Sequence, residues 1–199
     1  MEFKDFYLSE LFREINNISN KEIENIINLI IKTIKKNKIY ICGNGGSYAI
    51  ANHALCDLVK CVYQDTKIKI KLSSLSNNIE LISAISNDIS YDEIFSYQLN
   101  IDCKKNDLLI AISSSGNSKN IINAINVAKK NGLKVLSFTG FDGGIVKKQS
   151  DINININTNN YGISEDSHSI LLHLISQKIR IKYGNPKKLK LIDFFNFPI

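Results

Sequence analysis

The sequence predicts an α/β fold: a central, mostly parallel sheet with helices on both faces, entered through N-terminal helices. Three observations carry this. Short unbroken apolar runs recur at KIYIC (38–42), DLLIAI (107–112) and KVLSFTG (134–140). Such runs suit strands buried on both faces. Longer segments with apolar residues three and four apart alternate with them, as amphipathic helices do. Two of the runs lead into glycine- and serine-rich turns just before a helical pattern, the order of a strand–helix unit. At 199 residues the chain suits one domain, 1–199, with an N-terminal helical segment (1–37) and a C-terminal tail (184–199).

Two amphipathic helices come first. One covers about Phe6–Asn17. The next follows a Ser19/Asn20 cap and carries Ile23, Ile26, Ile27, Leu29, Ile30, Ile31 and Ile34. KIYIC is the first strand, and a helix follows the glycines after it. IKIKLSSL (68–75) alternates like a strand. NIELISAISND (78–88) reads as helix into loop, and YDEIFSYQL (91–99) as a short helix. DLLIAI ends in SSSGNS (113–118), and KNIINAINVAKKNG (119–132) is a helix stopped by Gly132. After KVLSFTG, FDGG (141–144) makes a turn. DINININ (151–157) alternates strictly, and a last helix runs from about Ser164 to Tyr183. There is no internal repeat, although the two strand–glycine–serine–helix units resemble each other.

Composition narrows the partners. The formal charge is +6, but the lysines are scattered in ones and twos, such as Lys35-Lys36 and Lys129-Lys130. Several close a helix, where they favour the dipole and need no ligand. This is a solvated surface, not a nucleic-acid stripe. Cys42, Cys56, Cys61 and Cys103 lack CxxC spacing and read as reduced thiols of a cytoplasmic protein. The acidic, mixed N-terminus is unlike a signal peptide, and no apolar run is long enough for a bilayer.

The chemistry concentrates in a few places. In YICGNGGSYAIANHALCDLVK (39–59), Gly43, Gly45 and Gly46 let the backbone bend sharply and approach a ligand. Ser47 is placed to cap the following helix, whose free N–H groups would face an anion. His53 and Asp57 are spaced i, i+4 and share a face. In SSSGNS, Ser113, Ser114, Ser115 and Ser118 lie at the ligand-side edge of an open α/β sheet. A serine-rich turn can simply cap its helix, but beside GNGGS on the same sheet it reads as a phosphate loop. Neither turn fits the nucleotide patterns GxxxxGK[ST] or GxGxxG. On the last helix, Glu165 is one turn from His168 and some 80° in projection from His173. Projection alone slightly prefers His168 as its partner.

Those motifs resemble the sugar isomerase (SIS) domain family, and within it the bacterial phosphoheptose isomerases. The match covers nearly the whole chain through CGNGGS with its downstream His, SNDISYDEIF, ISSSGNS, TGFDGG and the His-bearing last helix. The resemblance implies a single SIS domain built as a three-layer sandwich. It also implies a homotetramer with active sites between subunits, and zinc. The implied activity is ketose-phosphate to aldose-phosphate isomerisation, from sedoheptulose 7-phosphate, for the heptose of surface polysaccharide. By resemblance the substrate contacts fall on Asn44, Gly45, Gly46, Ser47, Asn87, Asp88, Ser113, Ser114, Ser115 and Ser118, with Asp57 and Glu165. His53, Asp57, Glu165 and His173 would hold the metal, with Asp57 as base and His173, not His168, as acid. Two positions depart from the family's pattern: Asp57 replaces a glutamate and Glu165 a glutamine. Shortening a base by one methylene moves it about 1 Å, a shift that can cost on the order of a hundredfold in rate.

Two other functions share the scaffold. One is a non-catalytic relative that binds the replication initiator DnaA, which lacks the catalytic pair. The other is a sugar-phosphate-sensing module of a transcription factor, for which no separate DNA-binding segment is visible. Retention of His53, Asp57 and His173 favours the enzyme.

Overall fold

The structure, a computed structural model, describes residues 2–185. Most of the 184–199 tail therefore lies outside the described residues. Helices α1 (Phe3–Asn16) and α2 (Asn20–Thr33) lead into strand β1 (Ile39–Gly43). Helix α3 (Gly45–Leu55) continues through a π-helical segment (Cys56–Cys61) into α4 (Val62–Thr66). Then come β2 (Leu72–Ser74), α5 (Ile79–Asp88), α6 (Ser96–Asp102), β3 (Leu108–Ser113) and α7 (Lys119–Lys130). After these come β4 (Lys134–Gly140), α8 (Gly144–Gln149), β5 (Ile152–Ile156) and α9 (Tyr161–Tyr183). The strands form one sheet in the order β2-β1-β3-β4-β5, and every pairing is parallel.

Strand side chains alternate between faces, and this builds the three layers. Ile39, Ile41, Leu108, Ile110, Ile112, Leu136 and Phe138 point to one face, under α2, α3 and α9. Tyr40, Cys42, Leu109, Ala111 and Val135 point to the other, with Ile121, Ala124 and Ile125 of α7 and Phe95 and Leu99. The predicted α/β class with two leading helices is thus the observed one. Ser19 caps α2 through a reciprocal box: its Oγ accepts from the Glu22 N–H at 3.2 Å, and the Glu22 carboxylate accepts from the Ser19 N–H at 2.8 Å. A cap of this kind contributes about 0.5–2 kcal/mol.

Several details differ from expectation. Only Leu72–Ser74 of the 68–75 run pairs, because β1 begins at Ile39, opposite Leu72. Residues 91–99 split into a 3-10 turn (Tyr91–Glu93), started by the Ser90 hydroxyl, and α6. Helix α8 was not visible in sequence, since six residues are too few to display a period. Helix α9 starts at Tyr161, where the Asn160 side chain accepts from the Ile163 N–H at 3.2 Å.

Candidate active site

The first glycine turn hands β1 to α3. Gly45 adopts the left-handed region at φ 53°. A side chain on Gly46 would run into the Glu165 carboxylate, so the glycine lets α9 approach α3. Ser47 does not cap the helix as expected. Asn44 holds the N-cap position, and Ser47 is the third helical residue, buried and facing a pocket. The Asn44 amide is itself held. It donates to Asn120 Oδ1 at 2.8 Å and accepts from Asn120 Nδ2 at 3.0 Å, while the Tyr91 hydroxyl donates to it at 3.2 Å. This amide pair ties the first turn to the helix behind the second. Asn120 and Tyr91 were missed in sequence because nothing local marks a partner 76 residues away.

The second turn, between β3 and α7, is backed by the FDGG segment. Gly116, at φ 64°, leaves no room for a Cβ against the Gly143 carbonyl. Its own carbonyl accepts from the Val146 N–H at 2.9 Å. The predicted FDGG turn therefore also braces the serine loop. Ser113, Ser114, Ser115 and Ser118 line the same pocket as Ser47 and Glu165. The Ser113 and Ser114 hydroxyls are buried and have no partner among the described residues. Unpaired buried donors are costly, and these two face a cleft where a ligand's oxygens can take their hydrogens. Asn44 and Tyr161 complete the lining, the latter stacked edge-on against Phe141 at 4.8 Å. Asn87 and Asp88 stand outside it: both are exposed at the end of α5, where the Asn87 amide donates to Asp88 at 2.8 Å.

Further along α3 and α9 a second group of side chains meets. His53 Nε2 and His173 Nε2 are 3.0 Å apart. Asp57 Oδ2 lies 3.5 Å from the first and 3.2 Å from the second. The i, i+4 pairing expected of His53 and Asp57 is therefore present. The oxygen is buried and has no hydrogen-bond partner among the described residues. Two imidazole nitrogens and a carboxylate oxygen within 4.8 Å of one another suit zinc or a similar divalent cation, with a coordination position left for a ligand. Ser176 of α9 steadies the arrangement by donating to the Asp57 carbonyl at 3.1 Å.

Glu165, expected as a fourth metal ligand, lies outside this cluster. It precedes His173 by eight residues, about 12 Å along a helix, and faces the serine pocket instead. Burial, and then the charge of Asp166, push its carboxyl above the usual range. His168 is not its partner either, so the projection preference fails. The His168 side chain is fully buried, donates through Nε2 to the Thr139 carbonyl at 3.1 Å, and packs against Phe138. Burial lowers its pKa to about 4. It is a neutral core residue.

Residues 6–140 match the SIS domain. The chain is 35% identical over 178 residues to the probable phosphoheptose isomerase of Thermoplasma acidophilum, covering 89% of this chain and 97% of that one. It is 39% identical over 183 residues to the phosphoheptose isomerase of Buchnera aphidicola, covering 87% and 93%. The structure of phosphoheptose isomerase GmhA from Neisseria gonorrhoeae superposes with a TM-score of 0.79 at 27% identity, over 88% of this chain and 95% of that one. Sequence and fold converge: the chain belongs to the SIS-domain family and, within it, to the phosphoheptose isomerases.

Proposed function

We propose that this protein interconverts sedoheptulose 7-phosphate and the corresponding aldoheptose 7-phosphate through an enediol, in the cytoplasm, to supply heptose for surface polysaccharide. The observation that carries this reading is the placement of two polar sites on the same pair of helices. Helix α9 holds Glu165 in the serine pocket and His173 in the histidine cluster, roughly 12 Å apart along the axis. That is the length scale of an extended seven-carbon sugar phosphate, phosphate at one end and carbonyl at the other.

The residues divide the work accordingly. Ser113, Ser114, Ser115 and Ser118, with the N–H groups at the start of α3, receive the phosphate without any lysine or arginine. Gly45 and Gly46 keep that helix start open to it. Asn44, fixed by Asn120, positions the turn. Glu165 reaches the sugar hydroxyls just beyond the phosphate. Asp57 takes the proton from the carbon next to the carbonyl and returns it to the neighbouring carbon. His173 gives a proton to the carbonyl oxygen and takes one from the adjacent hydroxyl. Asp57 Oδ2 faces the histidines, and the proton goes to the other oxygen of the carboxylate. His53, Asp57 and His173 would hold a zinc ion, which when bound polarises the substrate oxygens. Asn87 and Asp88, exposed in one protomer, fit a site completed by a neighbouring subunit of a homotetramer. Turnover assays on a panel of five- to seven-carbon ketose phosphates test the reading. Preference for sedoheptulose 7-phosphate is expected, and no turnover of any member by metal-loaded protein would overturn it.

A further inference from the structure

We infer that Cys56 and Cys61, with Asp57, form a second cation site: a thiolate site for a soft d10 cation that shares its carboxylate with the histidine cluster. The thiols of Cys56 and Cys61 and a carboxylate oxygen of Asp57 lie within 4.8 Å of one another. Local backbone creates this proximity. In a regular α-helix, residues five apart point about 140° away from each other. Here Cys56–Cys61 is π-helical, and the Val62 N–H reaches back to the Asp57 carbonyl. The wider turn stacks position i over i+5 and brings the two sulfurs to one side. π-Bulges of this kind frequently mark functional sites. The segment is held from outside as well, since Ser176 donates to the same Asp57 carbonyl at 3.1 Å.

Chemistry selects the ligand. Two thiolates and one carboxylate favour a thiophilic ion such as Cd²⁺, Cu⁺ or Zn²⁺ over hard cations such as Mg²⁺ or Ca²⁺. Cys56 is exposed and Cys61 partly so in the protomer, which gives the ion a way in. Asp57 has two oxygens and can bridge two cations. Its Oδ2 already faces His53 and His173. An ion on the thiols engages the carboxylate that the proposed isomerase needs as base, so occupation of this site inhibits. That consequence rests on the isomerase reading; the binding itself does not.

The test is a Cd²⁺ titration of the folded, reduced protein, followed by thiolate-to-metal charge-transfer absorption in the ultraviolet. The wild type is expected to show the band, at one thiolate-bound Cd²⁺ per chain. The band should persist in H53A/H173A, which leaves both thiols in place. In C56S/C61S it should vanish, although Cys42 and Cys103 remain, and the melting temperature without metal checks that this variant folds. D57N should weaken Cd²⁺ binding by at least tenfold while keeping the band. No band in folded wild type, or an undiminished band in C56S/C61S, overturns the site. Unchanged affinity in D57N overturns the shared carboxylate. Because no substrate enters the experiment, its failure is distinct from failure of the isomerase reading.

Discussion

The Nε2 atoms of His53 and His173, 120 positions apart in sequence, lie 3.0 Å from each other. At that distance the two nitrogens either share one proton or share one cation. Asp57 Oδ2 lies within 3.5 Å of both. A cation satisfies all three groups at once. Purified protein is therefore expected to carry about one divalent ion per chain at the cluster. Because it binds only the folded state, such an ion stabilises by about 2.7 kcal/mol when the free ion is about 100 times its Kd. Chelation should lower the melting temperature, and H53A should remove the chelator's effect. An unchanged melting curve in wild type would exclude the ion.

Asp57→Asn keeps the shape of the side chain but cannot take up the substrate's proton. Turnover is expected to fall by about 10²–10⁴-fold, the usual worth of a general base. Circular dichroism should show the fold retained. Equal turnover in wild type and D57N would remove Asp57 from the base role.

Ser113→Ala and Ser114→Ala separate binding from folding. Both hydroxyls are buried without a partner among the described residues. Removing an unsatisfied buried hydroxyl leaves stability unchanged or raises it by up to about 1 kcal/mol. If the pair receives the phosphate, KM should rise several-fold while kcat changes little. Ser115→Ala and Ser118→Ala should act the same way on KM. A KM unchanged in all four variants would take the phosphate out of this loop.

His168 gives the stability a pH dependence of predictable sign. Its folded pKa is about 4 against an ordinary 6.5, lowered first by burial. Between those values the unfolded chain takes up a proton that the folded one refuses. Stability is therefore lost as pH falls from about 6.5 towards about 4, by up to roughly 3 kcal/mol. Urea unfolding at several pH values measures it. His168→Phe should flatten this part of the profile while costing about 1–2 kcal/mol at pH 7 for the lost bond to Thr139.

The oligomeric state has a surface to test. The apolar face of α2 is buried within the chain: Ile26, Ile27 and Ile30 are fully enclosed. Helix α1 instead leaves Phe3, Leu8 and Phe12 exposed. Light scattering is expected to give a mass of four chains. Leu8→Glu with Phe12→Glu should reduce it if α1 lies in an interface, and a monomeric wild type would end the tetramer.

The sequence by itself determined the layers and the edge that carries chemistry. Runs such as DLLIAI are apolar on both faces because both faces are covered, and that signal needs no partner to be read. The Ser19–Glu22 box and the Gly132 stop are likewise local, each complete within a few residues. The glycine and serine turns were legible because strand ends in a parallel sheet all open towards the same edge. The family resemblance already chose His173 over His168, against helical projection, and the tertiary structure supplies the physical reason. Both sit on α9, and their difference lies in what α9 packs against: Thr139 and Phe138 on one side, His53 and Asp57 on another. Only the tertiary structure moved Glu165 from the metal cluster to the pocket and reassigned Ser47 from cap to lining. Finally, it stacked Cys56 over Cys61, which regular helical spacing would have kept apart. Projection on a helical wheel assumes an isolated, regular helix. Burial, partners across more than a hundred residues, and one π-helical segment are properties of the packed chain, and no window of sequence contains them.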